Sequence, residues 1–412
     1  MEFKNVRDVV RWRLCVGCGA CAYACERKNI SLEDVPGDGI RPIIRGTDCE
    51  GCGKCIEVCP GLGMAHSSRN GNECSLAKLQ NNWGPILEIW EGHAVDPEIR
   101  YHGSSGGLAN AIALYCLEEA GMHGVIHTGT DDEIPWKNKT VLSQNPSELL
   151  KRTGSRYSPS SPCEGLDQIE KAEGSCAFIG KPCDIAGLRK AQLLRPDLNK
   201  NLGIAIGIFC AGTPSTTGTL DLLKKINVNT KEIEGLRYRG KGWPGKFTVQ
   251  LKGEKTPSHQ MSYMDAWGFL QKYRPFRCYL CPDGTGEFAD ISCGDPWHRK
   301  PEEGEPGYSL VLVRTEKGRE VLRGAMKEGY VVLECKDSQI LEKSQRNLLA
   351  KRGAIWGRLI TMKAFGIPTP RLKGFYLFKI WCQLSTKEKA RSVLGTARRI
   401  IERKYYKPLK SM

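Results

Sequence analysis

The chain has 412 residues, enough for two to four domains with cores of their own, and its 40% hydrophobic and 26% charged content excludes a disordered or fibrous protein. The net charge of +15 is lopsided, because residues 351–412 hold 16 Lys or Arg against Glu388 and Glu402, so the first 350 residues are close to neutral. No run of about 18 apolar residues predicts a membrane helix, and the start MEFKNVRDVVRWRLCVG lacks the apolar stretch and small-residue cleavage site of a secretory signal, so the expected location is the cytoplasm. In a reducing compartment, nineteen densely spaced cysteines point to metal rather than disulfides.

Residues 1–68 predict one small metal-folded module. Cys15, Cys18, Cys21 and Cys25 follow C-x2-C-x2-C-x3-C, and Cys49, Cys52, Cys55 and Cys59 repeat it, with Pro60 after. A [4Fe–4S] cube takes four thiolates, one per iron. Three close cysteines wrap three corners, and in two-cluster ferredoxins the fourth comes from the last cysteine of the other run. The expected sets are therefore Cys15, Cys18, Cys21 and Cys59 for one cluster, and Cys49, Cys52, Cys55 and Cys25 for the other. Gly17, Gly19, Gly51 and Gly53 let backbone approach the inorganic sulfide. Structural zinc is the competing reading, but zinc usually takes two separated cysteine pairs. Glu26 departs from the pattern, standing where proline usually ends the first run.

After a connector over 70–98 ending in ILEIW, the chain alternates apolar runs with helical patterns. GVIHTG, SCAFIG, GIAIGIF, FTVQL, ADISCG, YSLVLVR and YVVLE read as strands; 105–120, 183–194, 215–226, 262–274, 316–328 and 338–352 read as helices. The fold class expected is α/β, a ferredoxin module fused to a larger mixed α/β body, the overall assembly being α+β. Ser105 and Thr213-Pro214 are the expected helix start signals. Gly240 to Gly245 matches G-x-G-x-x-G as a string, but Pro244 lies inside it and a strand follows, so it predicts no dinucleotide fold.

Further cysteines sit at strand ends, where sites gather in α/β sheets. Cys183 follows SCAFIG, Cys210 ends GIAIGIF, and Cys278 and Cys281 form a C-x2-C. Spacing leaves two readings open: a third cluster on Cys183, Cys210, Cys278 and Cys281, or buried apolar thiols. Cys293 could replace one ligand. Cys74, Cys116, Cys163, Cys176, Cys335 and Cys382 have no ligand pattern.

In chain order, His102-Gly103-Ser104-Ser105-Gly106-Gly107, Thr153-Gly154-Ser155-Arg156-Tyr157, Gly180-Lys181-Pro182-Cys183, Phe209-Cys210, Arg239 to Gly245, Cys278 to Asp283 and Ala289 to Asp295 resemble the coenzyme F420 hydrogenase/dehydrogenase beta subunit family over roughly residues 85–345. That family is similar to plant hydroxymethyl chlorophyll a reductase and formate dehydrogenase beta subunits. The resemblance implies FAD beside a [4Fe–4S] cluster, and so favours the third cluster and a flavin-binding body in two parts, 85–165 and 166–350. Its implied flavin contacts are Ser104, Ser105, Gly106, Gly107, Gly154, Ser155, Arg156, Tyr157, Lys181, Arg239, Gly242 and Trp243. Ser104 to Gly107 would offer helix N-terminal amides to a phosphate, and Lys181, Arg156 and Arg239 cations. His102 is a candidate general acid.

The function expected is an oxidoreductase coupling one-electron transfer through clusters to hydride chemistry at FAD, with coenzyme F420 or a similar small organic substrate. The alternative is an electron-transfer subunit feeding a separate catalytic protein. Expected partners are a ferredoxin or a dehydrogenase or hydrogenase subunit, and no nucleic acid. The basic, aromatic-bearing tail 353–412 reads as helical, and three uses stay open: a solvated extension, an acidic-partner surface, or peripheral contact with an anionic membrane.

Overall fold

The computed structural model describes residues 2–46, 49, 51–66, 76–302 and 304–410. Cys74, the last two residues of the 1–68 module and the start of the connector lie outside the described residues.

Between the two cysteine runs, β1 (Ile30–Val35) and β2 (Gly39–Ile44) form an antiparallel hairpin, and β3 (Gly63–Ala65) follows the second run. The body is built on one eight-stranded sheet. Its strands are β4 (Glu88–Ala94), β5 (Gly124–Thr130), β6 (Asn138–Ser143), β7 (Cys176–Gly180) and β8 (Leu202–Ile208); then, after a separate antiparallel sheet of β9 (Ile233–Arg237), β10 (Lys246–Leu251) and β11 (His259–Ser262), come β12 (Ile291–Gly294), β13 (Ser309–Val313) and β14 (Val331–Cys335). The spatial order is β14-β4-β13-β12-β8-β7-β5-β6. Neighbours from β5 to β12 run parallel and the outer pairs antiparallel. Strands from both expected parts of the body, 85–165 and 166–350, thus interleave in a single sheet.

Each apolar run in the sequence is a strand, and the parallel ones bury both faces. Val125, Ala177 and Ile204 pack on one face under the helices Leu108–Glu118 and Glu316–Lys327. Their chain neighbours Ile126, Phe178 and Ala205 pack on the other, under Pro182–Leu194 and beside Cys18, Ala20, Tyr23 and Val58 of the cysteine-rich module. The module is therefore built into the body's core. FTVQL is a strand, but of the small sheet rather than the main one. Gly240 to Gly245 joins β9 to β10, a hairpin and not a strand–turn–helix unit. β6 and β9 carried too few apolar residues to be picked out in advance.

The basic tail is helical, over Ile355–Ala364, Leu377–Cys382 and Thr386–Glu402, but the solvated-extension reading is corrected. Met362, Ile367, Ile400 and Tyr405 pack with Val9, Val10, Leu14, Cys15 and Cys59. β15 (Arg371–Lys373) pairs in parallel with β3, and the Leu409 amide donates to the Arg11 carbonyl at 2.9 Å. The physical reason is apolar burial: Ile355, Met362 and Ile400 are fully buried, each worth roughly 1.5–3 kcal/mol. Under this cap Arg352 pairs with the buried Glu287, whose other oxygen meets His66 Nε2 at 2.8 Å. Among the described residues no helix is long and apolar enough to cross a membrane.

In β5, His127 is buried and bonded through Nε2 to Ser143 Oγ at 2.8 Å. Burial pushes its pKa down to about 4. The unfolded state then binds a proton that the folded state does not, so stability is full above about pH 6.5 and falls as pH drops toward 4. Between pH 7.5 and 5.5 this group removes about 1.3 kcal/mol. Chemical denaturation at the two pH values should show that extra loss in the native protein and lose it in His127→Gln; equal pH slopes would refute the assignment.

Candidate functional site

The first cysteine run wraps a loop into the short helix Ala20–Ala24. Gly17 and Gly19, at φ of 73° and 91°, take left-handed conformations that only glycine adopts freely. Cys15, Cys18, Cys21 and Cys59 are all buried and line one cavity with Val9, Leu32 and Pro42. That is the crosswise set the spacing predicted. Burial and the neighbouring sulfurs of Cys15, Cys18 and Cys59 push the Cys21 thiol well up, and burial pushes Cys59 up to about 12. Thiols that crowd and resist ionisation are what bound iron would convert to thiolates. The second set is at the surface: Cys55 is buried and interacts with Cys25, Cys49 and Cys52, of which Cys49 and Cys52 are exposed.

Cys183, Cys210 and the Cys278–Cys281 pair come from three chain segments to line a second cavity. Cys183 lies in the first turn of Pro182–Leu194. Cys210 follows β8, its amide bonded to the Gly284 carbonyl at 2.8 Å. Cys278 sits in the short helix Phe276–Tyr279. Past Cys281, the Asp283 carboxylate accepts from the amides of Thr285, Gly286 and Glu287 at 3.0, 2.7 and 2.8 Å and fixes the loop. Burial pushes Cys210 up to about 11. Lys181, Arg277, Lys351 and Arg41 line the same cavity, and so does Cys15 of the buried ferredoxin set. Among the described residues no three Cys, His, Asp or Glu side chains converge on one metal ion. The thiols ring a space instead, which suits a multi-iron cube.

Cys293 lies in the core among Ile206, Ile291 and Val311, and is not brought to the cavity lining with the other four. Cys116 and Cys176 are buried, and Cys335 and Cys382 exposed. Cys163, passed over in the sequence, touches the first cluster set: its amide donates to the Cys18 carbonyl at 3.0 Å, and its thiol hydrogen-bonds Cys18. Arg277 was also missed, although it stands immediately before Cys278.

The expected flavin contacts gather, with one exception. Ser155 donates its amide to Ser104 Oγ at 2.6 Å, Arg239 Nη2 donates to the Ser104 carbonyl, and the Gly242 amide donates to the Tyr101 carbonyl at 3.1 Å. His102 is partly exposed, its Nε2 3.3 Å from Glu98. Lys181 is the exception, lining the third cysteine cavity. The three expected cations do not fit as a phosphate clamp, because their donors are engaged. Arg156 bonds Asn138 and the carbonyls of Pro135, Lys137 and Leu236. Arg239, 1% exposed, pairs through both nitrogens with Asp295 and bonds Tyr157 at 3.4 Å. Lys181 pairs with Asp184 at 2.6 Å and bonds Ser160. Ser105 is corrected as a helix cap: Gly107 holds that position, while Ser105 Oγ bonds Ser309 Oγ at 2.7 Å. Gly106 has a packing reason: a Cβ there would sit 2.6 Å from the Gly92 carbonyl. Beside these loops, Trp243 donates to Asp295 at 2.9 Å and faces Trp297 at 5.5 Å, and Trp297 stacks on Tyr263.

Comparison with known proteins gives matches to three family models. Two describe the coenzyme F420 hydrogenase/dehydrogenase beta subunit: residues 89–166 match its N-terminal part and 174–339 its C-terminal part. Residues 14–61 match the 4Fe-4S dicluster domain. A coenzyme F420-dependent sulfite reductase from Methanocaldococcus jannaschii is 27% identical over 345 residues; the match takes in 79% of this chain but 48% of that relative, so the chain spans about half its length. A coenzyme F420 hydrogenase subunit beta from Methanothermobacter thermautotrophicus is 25% identical over 307 residues, 70% of this chain and 99% of the relative. In fold, the chain is similar to one from the F420-reducing [NiFe] hydrogenase complex of Methanosarcina barkeri, with a TM-score of 0.56 at 23% identity, over 70% of this chain and 97% of that one.

Replacing Cys278 by Ala should lower the iron of anaerobically purified protein by about four atoms per chain, from about 12 to about eight. Iron analysis with EPR of the remaining clusters checks this, and unchanged iron would remove Cys278 from the ligand set.

Proposed function

Because the chain belongs to the coenzyme F420 hydrogenase/dehydrogenase beta subunit family, we propose that it is an iron–sulfur flavoprotein oxidoreductase passing electrons between three [4Fe–4S] clusters and a small organic hydride carrier of the coenzyme F420 type. The observation that carries the reading is the shared wall: Cys15 of the buried ferredoxin set lines the cavity ringed by Cys183, Cys210, Cys278 and Cys281. Three adjoining cysteine sets, from exposed Cys49 and Cys52 through buried Cys15, Cys18, Cys21 and Cys59 to the third cavity, support a relay that begins at the surface. FAD, when bound, would supply the coupling between one-electron and two-electron chemistry.

The residues left to hold the flavin are Ser104, Ser105, Gly154, Ser155, Gly242 and Trp243, since Arg156, Arg239 and Lys181 are engaged within the protein. Arg239 and Asp295 brace the loop that carries Trp243, and Ser104 is held by Arg239 and by the Ser155 amide. His102, next to Glu98, is the candidate for proton delivery to a substrate that needs one. The units proposed are the module 1–68, one body whose two parts 85–165 and 166–350 share a single sheet, and the cap 353–412.

A second reading, an electron-transfer subunit serving a separate catalytic protein, is favoured by the relatives' naming as subunits. Anaerobically purified protein should contain about 12 iron, about 12 sulfide and one flavin per chain. After reduction by dithionite or ferredoxin it should be reoxidised by coenzyme F420. Full cofactor content with no reoxidation by the free coenzyme would select the subunit reading; about eight iron and no flavin would sink both.

A further inference from the structure

The two inner cysteine cavities share Cys15, Val16 and Gly17, and the third is lined by the cations Arg41, Lys181, Arg277 and Lys351 beside the acids Asp38 and Asp283. Arg277 is 2% exposed. Its Nη2 reaches the carbonyls of Pro60 and Gly61, just after Cys59, only at 3.5 Å. Its Nε and Nη1 are buried without a hydrogen-bond partner among the described residues. A desolvated guanidinium with two orphan donors is costly to bury, and the cavity it lines is also lined by Cys15, Cys278 and Cys281. Arg41, 5% exposed, lines that cavity too, and its Nη1 lies 3.4 Å from where a Cβ on Gly17 would stand, inside the first cysteine run. Lys351 lines the cavity as well, its Nζ 3.5 Å from the carbonyl of Ala211, the residue after Cys210.

We propose that Arg277 is a fixed positive bridge acting on both inner clusters, with Arg41 acting on the ferredoxin-side cluster and Lys351 on the third. The physical ground is Coulombic. Each cluster becomes more negative by one charge on reduction, and a permanent cation beside it in a water-poor site favours the reduced form. A guanidinium stays charged at all working pH values and presents a fork of donors, so Arg277 can face sulfur on two sides. The contacts follow the same division: Arg277 reaches the carbonyls beside Cys59 and lines the cavity of Cys278 and Cys281, Arg41 stands against Gly17, and Lys351 against the residue after Cys210. Arg277 is therefore a positioning residue for charge, shared by neighbouring clusters.

The inference rests on both cavities holding four-iron clusters, so the test separates the two ideas. The full chain and its variants are purified anaerobically, analysed for iron, and titrated by EPR-monitored potentiometry. The Cys278→Ala variant identifies the third-cluster signal. Arg277→Gln should lower the midpoints of both inner clusters and leave the exposed cluster unmoved, and Arg277→Lys should restore most of the shift. Arg41→Gln should lower only the ferredoxin-side cluster, and Lys351→Gln only the third. About eight iron or fewer in the native chain, in place of about 12, would instead refute the cluster assignment itself. With iron complete, unmoved inner midpoints in Arg277→Gln, or an equal shift of all three clusters, overturns the bridge. If Arg277→Gln does not retain iron, Arg41→Gln and Lys351→Gln decide, and either one moving both inner clusters or neither overturns it.

Discussion

Everything in this fold answers to one constraint, that electrons cross only short gaps, so cysteine sets scattered over more than 260 residues of sequence must share walls. The contact that meets it is narrow. The Cys15 loop is pinned by Ser161, whose hydroxyl donates to the Gly17 carbonyl at 2.7 Å, and by the Cys163 amide on the Cys18 carbonyl. Gly187 permits the approach: a Cβ there would lie 3.1 Å from Cys18 Sγ and 3.3 Å from Ala20. At that distance a neighbour must give way, and here the neighbours are Cys18 in the cysteine loop and the first residue of the short helix that follows it. A module fused by a flexible linker would not hold such a gap. This one shares a hydrophobic core with the body, so its distance to the third cavity is fixed by packing.

The tail serves the same constraint from the other side. Glu287 is buried between Arg352 of the cap and His66 of the module's end, and the Arg352 guanidinium also reaches the carbonyls of Asn81 and Phe375. A buried ion pair is weak evidence of net stability, but removing one partner leaves an uncompensated charge costing about 3–5 kcal/mol. What the network fixes is register. It joins module, connector, cysteine loop and cap at one point, a few residues past Cys281. Phe288 and Phe375 flank the His66 ring at 4.7 and 4.8 Å and keep the junction dry.

How much was legible follows from where each signal is written. Ferredoxin ligands were readable because the cube imposes its geometry within a dozen residues, and glycine must appear where backbone turns around it. Strands were readable where both faces are buried, as in SLVLV of β13, and unreadable in β6, where NKTVLS is half-exposed along most of its length. The third cysteine set was visible only as single residues at strand ends, since nothing local states that Cys183 and Cys281 meet. The engagement of Arg156 and Arg239 was invisible for the same reason: their partners lie as far away as Leu236 and Ser104. The tail misled because its charge is exposed and its apolar residues are spread thinly, one helix turn at a time, along the face that packs on Val9 and Leu14.

Four cations, Arg41, Lys181, Arg277 and Lys351, line the third cavity, where apolar side chains would pack more cheaply, and Lys181 is paired with Asp184. The exposed Cys49 and Cys52 need no such help, because water and salt screen charge at the surface. A cluster bound in the proposed inner sites would have little solvent to absorb the charge change of each electron, and a fixed cation would take that part. The cap then excludes water from the same walls: Phe276 and Leu280, flanking Arg277 and Cys281 in sequence, pack against Met362, Ile400 and Tyr405. Burying the cations and burying the clusters are thus one design problem, because each makes the other tolerable in a low-dielectric interior.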